Sequence, residues 1–533
     1  MGRRVTVFHK FLHHTHAIYN RPFRYKLVLE GILSGAFAGL TAIALRLLLS
    51  RADSLRAQAI DWVAARPAWS FLMFLFLLGI AALVTLLLKW EPYISGSGIP
   101  QLEAEMEGHI EQKWWRVLLA KFLGSALAIG AGLSLGREGP SIQLGAMAGK
   151  GTAEITRDRE DSRLIMTFGA CAGLSAAFNA PFAGVLFALE EVQKRFSADV
   201  LVSAMAASIA ANLLSVALVG AAPVFDLGTV SVMPLSHLWL MPLLGVFLGC
   251  IGALYNRCIA LSQNLYAHVR NRYLRTAIPF VLAGVLALTA PEVLGSGHEL
   301  VAETGAGLAI GTLLFLLAAK FLFSMASFGS GVPGGIFLPL LVLGSVSGGF
   351  FTKLVSPLVG YSNTYISIFV ILGMAGYFAA IVRAPITGII LISEMTGTLS
   401  NLLSLSLVSL TAYLTAELLG GIPVYDQLLQ RMLQGGTPKK PKKSNKVFVE
   451  SQVQIGSFMD GRTLAEIGLP PGSLIVSVQR AGRELVPGGQ TALASGDTVV
   501  VLCHEGNLPA VNQTLEEKCR RIILQKDDPT AKL

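Results

Sequence analysis

Up to about residue 435 the chain consists of long apolar runs separated by short polar or glycine-rich breaks. Runs at 31–49 (GILSGAFAGLTAIALRLLL), 70–88, 200–219, 238–254, 306–328 and 401–419 predict helices. Several are long enough to cross a bilayer core of about 30 Å. Other apolar stretches (141–149, 163–175, 181–190, 336–349 and 385–393) are shorter and cut by Gly or Pro. They predict broken or re-entrant helices, which persist at membrane depth only where they line a cavity or bury against protein. Near residue 436 the pattern changes. A polar stretch, GGTPKKPKKSNK, leads into a segment with the punctuation of a small soluble domain. There LIVSVQR (474–480) and TVVVLC (498–503) predict strands, and AG (481–482) and SGD (495–497) predict turns. Thr463 and Glu466 stand at capping-box spacing and predict a short helix.

The expected fold is therefore an all-α polytopic membrane protein with a small α+β domain attached. The expected organisation is an N-terminal segment 1–25, a membrane domain 26–435, a basic linker 436–446, the α+β module 447–525 and a tail 526–533. Composition agrees with the membrane class: 53% of the 533 residues are hydrophobic and only 14% charged. The net charge of +9 goes with basic clusters at the two ends of the membrane region, with Arg3, Arg4, Lys10, His13, His14, Arg21 and Arg24 before the first run and KKPKKSNK after the last. Basic flanks predict that both termini are cytosolic, in a cell membrane, and point to anionic lipid rather than nucleic acid. No cleavage site of a signal peptide follows the basic start. Cys171, Cys250, Cys258, Cys503 and Cys519 lack CxxC spacing and His partners at ligand spacing. Neither a metal, a disulfide nor a cofactor is expected.

The membrane part repeats itself. At an offset of 199, segment 118–149 matches 317–348 through pairs such as Lys121/Lys320, Ser125/Ser324, Gly136/Gly335, Pro140/Pro339, Gly145/Gly344 and Gly149/Gly348. At an offset of 204, segment 168–191 matches 372–395 through Gly169/Gly373, Pro181/Pro385, Gly184/Gly388 and Glu190/Glu394. The two halves are expected at about 26–220 and 237–435. Repeated halves with interrupted helices at corresponding places point to a transport site where the halves meet.

Three breaks carry the chemistry. They are GSGIP (Gly96, Ser97, Gly98, Ile99, Pro100), GREGP (Gly136, Arg137, Glu138, Gly139, Pro140) and GIFLP (Gly335, Ile336, Phe337, Leu338, Pro339). Each joins glycine, which allows close backbone approach, to a proline suited to a helix start. Helices that begin inside the membrane aim free N–H groups and a positive dipole end at the centre, which makes an anion site without a full positive charge. Glu138 is then an anion tethered to the wall of an anion site. Charged, it competes for the same N–H groups; protonated, it swings away and admits the free anion. The alternative is a buried glutamate paired with Arg137. For Arg137 itself a structural role is expected, bonding loop carbonyls.

In this order the three stretches resemble the signatures of the CLC chloride channel and transporter family, and the resemblance covers about 25–435. NAPFAGVLFALEE (179–191) is similar to the family stretch that ends in paired glutamates. The resemblance implies an inverted repeat of broken and tilted helices in a homodimer, with one pathway per subunit. It implies that Ser97 and Tyr425 offer hydroxyls to chloride and that Ile336 and Phe337 offer backbone N–H groups. It makes Glu138 the external gate and Glu191 the internal proton-transfer residue. Because channel members lack a glutamate at that last position, chloride/proton exchange is expected over a passive chloride channel. Rival roles stay open: a helix cap for Ser97, an interfacial anchor for Tyr425, core packing for Phe337, and an ion pair with Lys194 or Arg195 for Glu191. The repetition of Glu190 as Glu394 suggests a structural role for that residue.

Ser97 resembles the chloride-handling members, and bromide and nitrate are expected to permeate. Residues 460–502 resemble the C-terminal lobe of RCK/TrkA potassium-transport regulators, which implies pairing of lobes and a small-molecule ligand. A potassium transporter is the rival that lobe suggests, but the TVGYG type of carbonyl filter is absent from the sequence. An enzyme is not expected, since Ser97 has no intramembrane histidine near it in sequence.

Overall fold

A computed structural model describes residues 25–158, 161–193, 198–228, 230, 232–359, 365–435, 446–480, 483–504 and 507–520. The basic N-terminal residues, Lys194 and Arg195, most of the linker, the AG turn at 481–482 and the tail 526–533 lie outside the described residues. The chain divides into two compact units, a body of residues 24–103 and 112–434 and a second unit that carries 435–533.

The first half of the body begins with α1 (Tyr25–Ala64), α2 (Ser70–Trp90), α3 (Ile99–Met106) and α4 (Trp114–Gly130). It continues through α5 (Glu138–Thr156), α6 (Ser162–Phe178), α7 (Pro181–Phe187) and α8 (Ala198–Val219). The second half holds α9 (Leu240–Ala267), α10 (Arg272–Thr289), α11 (His298–Gly305), α12 (Ile310–Gly329) and α13 (Phe337–Val359). It closes with α14 (Ile366–Val382), α15 (Pro385–Thr396), α16 (Leu402–Leu418) and α17 (Val424–Gly435). Among the described residues, 7 helices are long and apolar enough to cross a membrane.

Two of these depart from the apolar-run reading. Arg272–Thr289 qualifies although Arg272, Arg275 and Pro279 interrupt its apolar run, and Phe337–Pro357 is a full-length helix where 336–349 predicts a short piece. Its window is 78% buried inside the protein, so its glycines and serines serve packing rather than termination. The run at 401–419 forms a helix of 17 residues, α16, shorter than those spans.

Close backbone contact holds the body together. A Cβ at Gly145 of α5 would lie 2.1 Å from Gly169 O of α6, and one at Gly149 would lie 2.3 Å from Ile165 O. The second half repeats the crossing, with Gly344 of α13 at 2.6 Å from Gly373 O of α14 and Gly348 at 2.1 Å from Phe369 O. In lipid there is little hydrophobic gain between helices, so small residues that let backbones touch supply the attraction by dispersion.

The second unit carries β1 (Lys446–Gln452), α18 (Leu464–Ile467), β2 (Ser473–Arg480), β3 (Arg483–Leu485), β4 (Thr498–His504) and α19 (Leu508–Leu515). Its sheet has the order β1-β4-β2-β3 and every pairing is antiparallel. Val449, Val478, Val499 and Val501 face Leu508, Val511 and Leu515 across its core. The capping box forms as expected: Glu466 accepts from Thr463 N at 2.9 Å. Strand β1 and helix α19 lie outside the elements that the sequence pattern predicts.

Candidate functional site

The three glycine-rich breaks meet. Gly136 and Gly335 exchange two backbone hydrogen bonds, each 2.7 Å, as an isolated antiparallel bridge between the halves. Gly334 N donates to Gly96 O at 3.0 Å, which ties in the third break. A Cβ on Gly139 would stand 2.8 Å from Ser97 O and 3.2 Å from Gly335 Cα, so no side chain fits between them. From this junction α3 starts at Ile99, α5 at Glu138 and α13 at Phe337. Three helix starts, whose first-turn N–H groups have no acceptor within their own helix, thus lie side by side.

Glu138 is fully buried, and both carboxylate oxygens lack a hydrogen bond of standard geometry. The carboxylate folds back over Gly136. The point where a Gly136 Cβ would sit is 2.2 Å from Glu138 Oε2 and 3.0 Å from Leu338 N, at the start of α13. The carboxylate therefore rests against the first turn of a helix from the other half. Arg137 and Glu138 interact electrostatically, but no salt bridge joins them. Nor does Arg137 bond the loop carbonyls expected of it; its Nε is buried without a partner.

Two lysines do that work instead. Lys121 Nζ, fully buried, donates to Ile94 O at 2.9 Å and Gly96 O at 2.7 Å, gripping the loop that carries Ser97. Lys320 Nζ donates to Val293 O at 2.8 Å and Gly295 O at 2.6 Å. All three residues of the second grip stand 199 positions after their counterparts, so the repeat extends to a second GSG, Gly295–Ser296–Gly297. The backbones correspond: φ is +63° at Gly96 and +61° at Gly295, +94° at Gly98 and +79° at Gly297. The sequence held the signal for this second loop in the same constant offset.

Ser97 is buried and its Oγ accepts from Ile99 N at 3.4 Å, a weak bond at the start of α3 that leaves the hydroxyl hydrogen unspent. Ile336 and Phe337 are buried at the start of α13. The Phe337 ring packs on Phe378 at 4.8 Å, Phe178 at 5.5 Å and Phe187 at 6.0 Å. Tyr425, second residue of α17, is fully buried, with its ring 6.3 Å from Phe187 and its Oη without a partner. An interfacial anchor would keep its hydroxyl in water, so this placement rules out that alternative. Buried orphan hydroxyls are costly and mark places where a polar ligand completes the bonding.

Glu191 is buried on a π-helical turn, Ala188–Gln193, that continues α7, and its charge is felt at Tyr425. Such π turns are frequent where a helix presents a functional side chain. Its neighbour Glu190 points the other way: Oε2 accepts from Thr387 N at 2.9 Å and Thr387 Oγ1 at 2.6 Å, capping the start of α15. Glu394 of α15 returns the contact, accepting from Ala183 N at 2.8 Å and Phe182 N at 3.2 Å at the start of α7. Each half thus caps a broken helix of the other. This is the structural role that the repetition of Glu190 as Glu394 suggested.

Residues 79–417, more than half of the chain, match the voltage gated chloride channel family. The chain belongs to this CLC family. Residues 448–515 match the TrkA-C domain. The H(+)/Cl(-) exchange transporter ClcA of Vibrio cholerae is 38% identical over 424 residues, covering 76% of this chain and 89% of that protein. The ClcA of Salmonella gallinarum is 34% identical over 426 residues, covering 77% and 89%. Among solved structures, a slow cyanobacterial Cl-/H+ antiporter superposes with a TM-score of 0.73 at 30% identity, over 76% of this chain and 98% of that one. A eukaryotic CLC transporter, at 23% identity and a TM-score of 0.65 over 77% and 74%, shares the fold. The CLC inverted repeat explains why the matched segments of the two halves meet head to head at Gly136 and Gly335.

Proposed function

We propose that the protein moves chloride across a cell membrane in exchange for protons. The observation that carries this reading is Glu138: a buried carboxylate with no hydrogen bond of standard geometry, laid against the N-terminal turn of α13 at the junction of three helix starts. Chloride binds there through backbone N–H groups of Ile336 and Phe337 and hydroxyls of Ser97 and Tyr425. Each is a dipole rather than a full charge, so the anion binds and still leaves. Protonation of Glu138 removes its claim on the helix terminus and opens the outer path. Glu191, beside Tyr425, hands the proton to and from the inner solution. Both termini face the cytosol, the protein works as a homodimer with one pathway per subunit, and the TrkA-C domain receives a small regulatory ligand. The ClcA relatives, exchange transporters by name and alike over most of the chain, support this reading.

The test is reconstitution in liposomes with an imposed chloride gradient while external pH is recorded. Proton movement against its own gradient is expected, and Glu138→Gln is expected to abolish it. Glu191→Gln is expected to leave chloride flux running without protons. Chloride flux with no pH change in the wild type would make the protein a channel. Coupling that survived Glu191→Gln would remove Glu191 from the proton path.

A further inference from the structure

We propose that the groove between α2 and α10 is a binding site for an anionic phospholipid. The groove has a volume of about 270 Å³ and is lined by Leu78, Ala81, Ala82, Tyr273, Leu274 and Ala277. It exists because three of these are alanines where the two helices would otherwise mesh. Its walls are apolar except at one end. There Lys89 of α2 sits over the Tyr273 ring, with Nζ 4.0 Å from the centroid. Residues 78, 82, 85 and 89 share one helical face, so Lys89 caps the same stripe that forms the wall.

Two more cations stand at the start of α10, the helix end that carries Tyr273: Arg270 just before the helix and Arg272 at its first position, both exposed. Among the described residues no carboxylate pairs with Lys89, Arg270 or Arg272, whereas nearby Arg116 is engaged with Glu91 and the Trp90 carbonyl. Trp90 and Trp115 stand edge to face with centroids 6.4 Å apart, and the Arg116 guanidinium lies 5.1 Å from the Trp90 ring. Aromatic rings beside lysine and arginine mark headgroup level. The arrangement is therefore an apolar slot below and an unpaired cationic collar above, which is the charge and polarity profile of one anionic lipid. Because α1 and α2 are consecutive spans, this collar lies on the side of the membrane where α1 begins. The N-terminal residues 1–24 are a poor occupant for the slot, since they carry Arg3, Arg4, Lys10, Arg21 and Arg24, which the collar repels. Basic pockets between spanning helices recognise anionic headgroups by this same electrostatics.

Native mass spectrometry of the full-length protein in detergent tests the proposal, using an equimolar mixture of phosphatidylglycerol and phosphatidylcholine with identical acyl chains. A preference for phosphatidylglycerol of roughly tenfold is expected. It should disappear in Lys89→Gln with Arg270→Gln and Arg272→Gln, all surface changes, while phosphatidylcholine adducts stay as they were. Ala82→Phe, which fills the slot and keeps the charges, should lower both adducts; the charge variant carries the test if this one does not fold. Equal retention of the two lipids by the wild type, or a preference that survives neutralisation of the collar, overturns the site. Displacement of phosphatidylglycerol by millimolar inorganic phosphate shows that the headgroup alone is read, and overturns the role of the slot.

Discussion

A methyl group on Gly139 would lie 2.8 Å from Ser97 O and 3.0 Å from Ser97 Cβ, both on a loop already tied to Gly334. Nothing there can yield cheaply, so Gly139→Ala forces the breaks apart. Overpacking of this kind costs about 1–3 kcal/mol, and chloride flux in liposomes is expected to fall by roughly an order of magnitude while the protein stays folded. The two buried lysines offer a matched pair of residue tests. Replacing Lys320 by Met strands Val293 O and Gly295 O, whereas replacing Lys121 by Met strands Ile94 O and leaves Gly96 O with Gly334 N; each stranded carbonyl costs about 1–3 kcal/mol, so both variants should melt earlier. Only Lys121→Met disturbs the loop that holds Ser97, so it alone should change the chloride-to-nitrate permeability ratio. An unchanged ratio in Lys121→Met would mean that the loop keeps its shape without the lysine.

Short interrupted helices need their ends satisfied, and here the partner comes from the opposite half. α7 spans only Pro181–Phe187 and α15 only Pro385–Thr396, and each receives a carboxylate on its first-turn N–H groups. Glu394→Ala is expected to destabilise the protein by about 1 kcal/mol or more, the usual worth of a helix cap. Glu394→Gln, which keeps an acceptor, should recover much of that loss. Thermal melting of the detergent-solubilised protein compares the two. The pairing of Glu190 with Glu394 was legible as a repeat. What each carboxylate touches was not, because the acceptor and its N–H groups are more than 190 residues apart. The same holds for the π turn at Ala188–Gln193. Its counterpart in the second half is the regular end of α15, so no periodicity distinguishes them.

The membrane body and the C-terminal unit are stabilised by different means. In the body, glycine contacts and buried lysines clamp backbone to backbone. In the C-terminal unit, Asp497 is 1% exposed and takes two bonds from Arg480, at 2.8 and 2.6 Å, and one from Ala494 N at 2.8 Å. The Arg480 guanidinium holds the Asp497 carboxyl below its ordinary range. A carboxylate whose folded value is depressed contributes stability above its unfolded value, near pH 4, and loses it as pH falls through the lower folded value. Arg480→Met should therefore destabilise that unit near neutral pH and flatten its acid sensitivity. Amide hydrogen exchange across 446–515 in the full chain, followed from pH 7 to pH 3, measures both effects.

Membrane residence, the repeat, the three helix starts and the separate α+β module follow from local patterns alone. Apolar run length, glycine–proline spacing, constant offsets and capping-box spacing are features of residue order that survive without a fold. The convergence of those helix starts, the choice of Lys121 and Lys320 rather than Arg137 as carbonyl clamps, and the crossed glutamate caps do not follow from them. They depend on one half being laid against the other. That placement sets which unsatisfied backbone group meets which side chain, and the cost of leaving such groups bare inside a membrane is what locks it in.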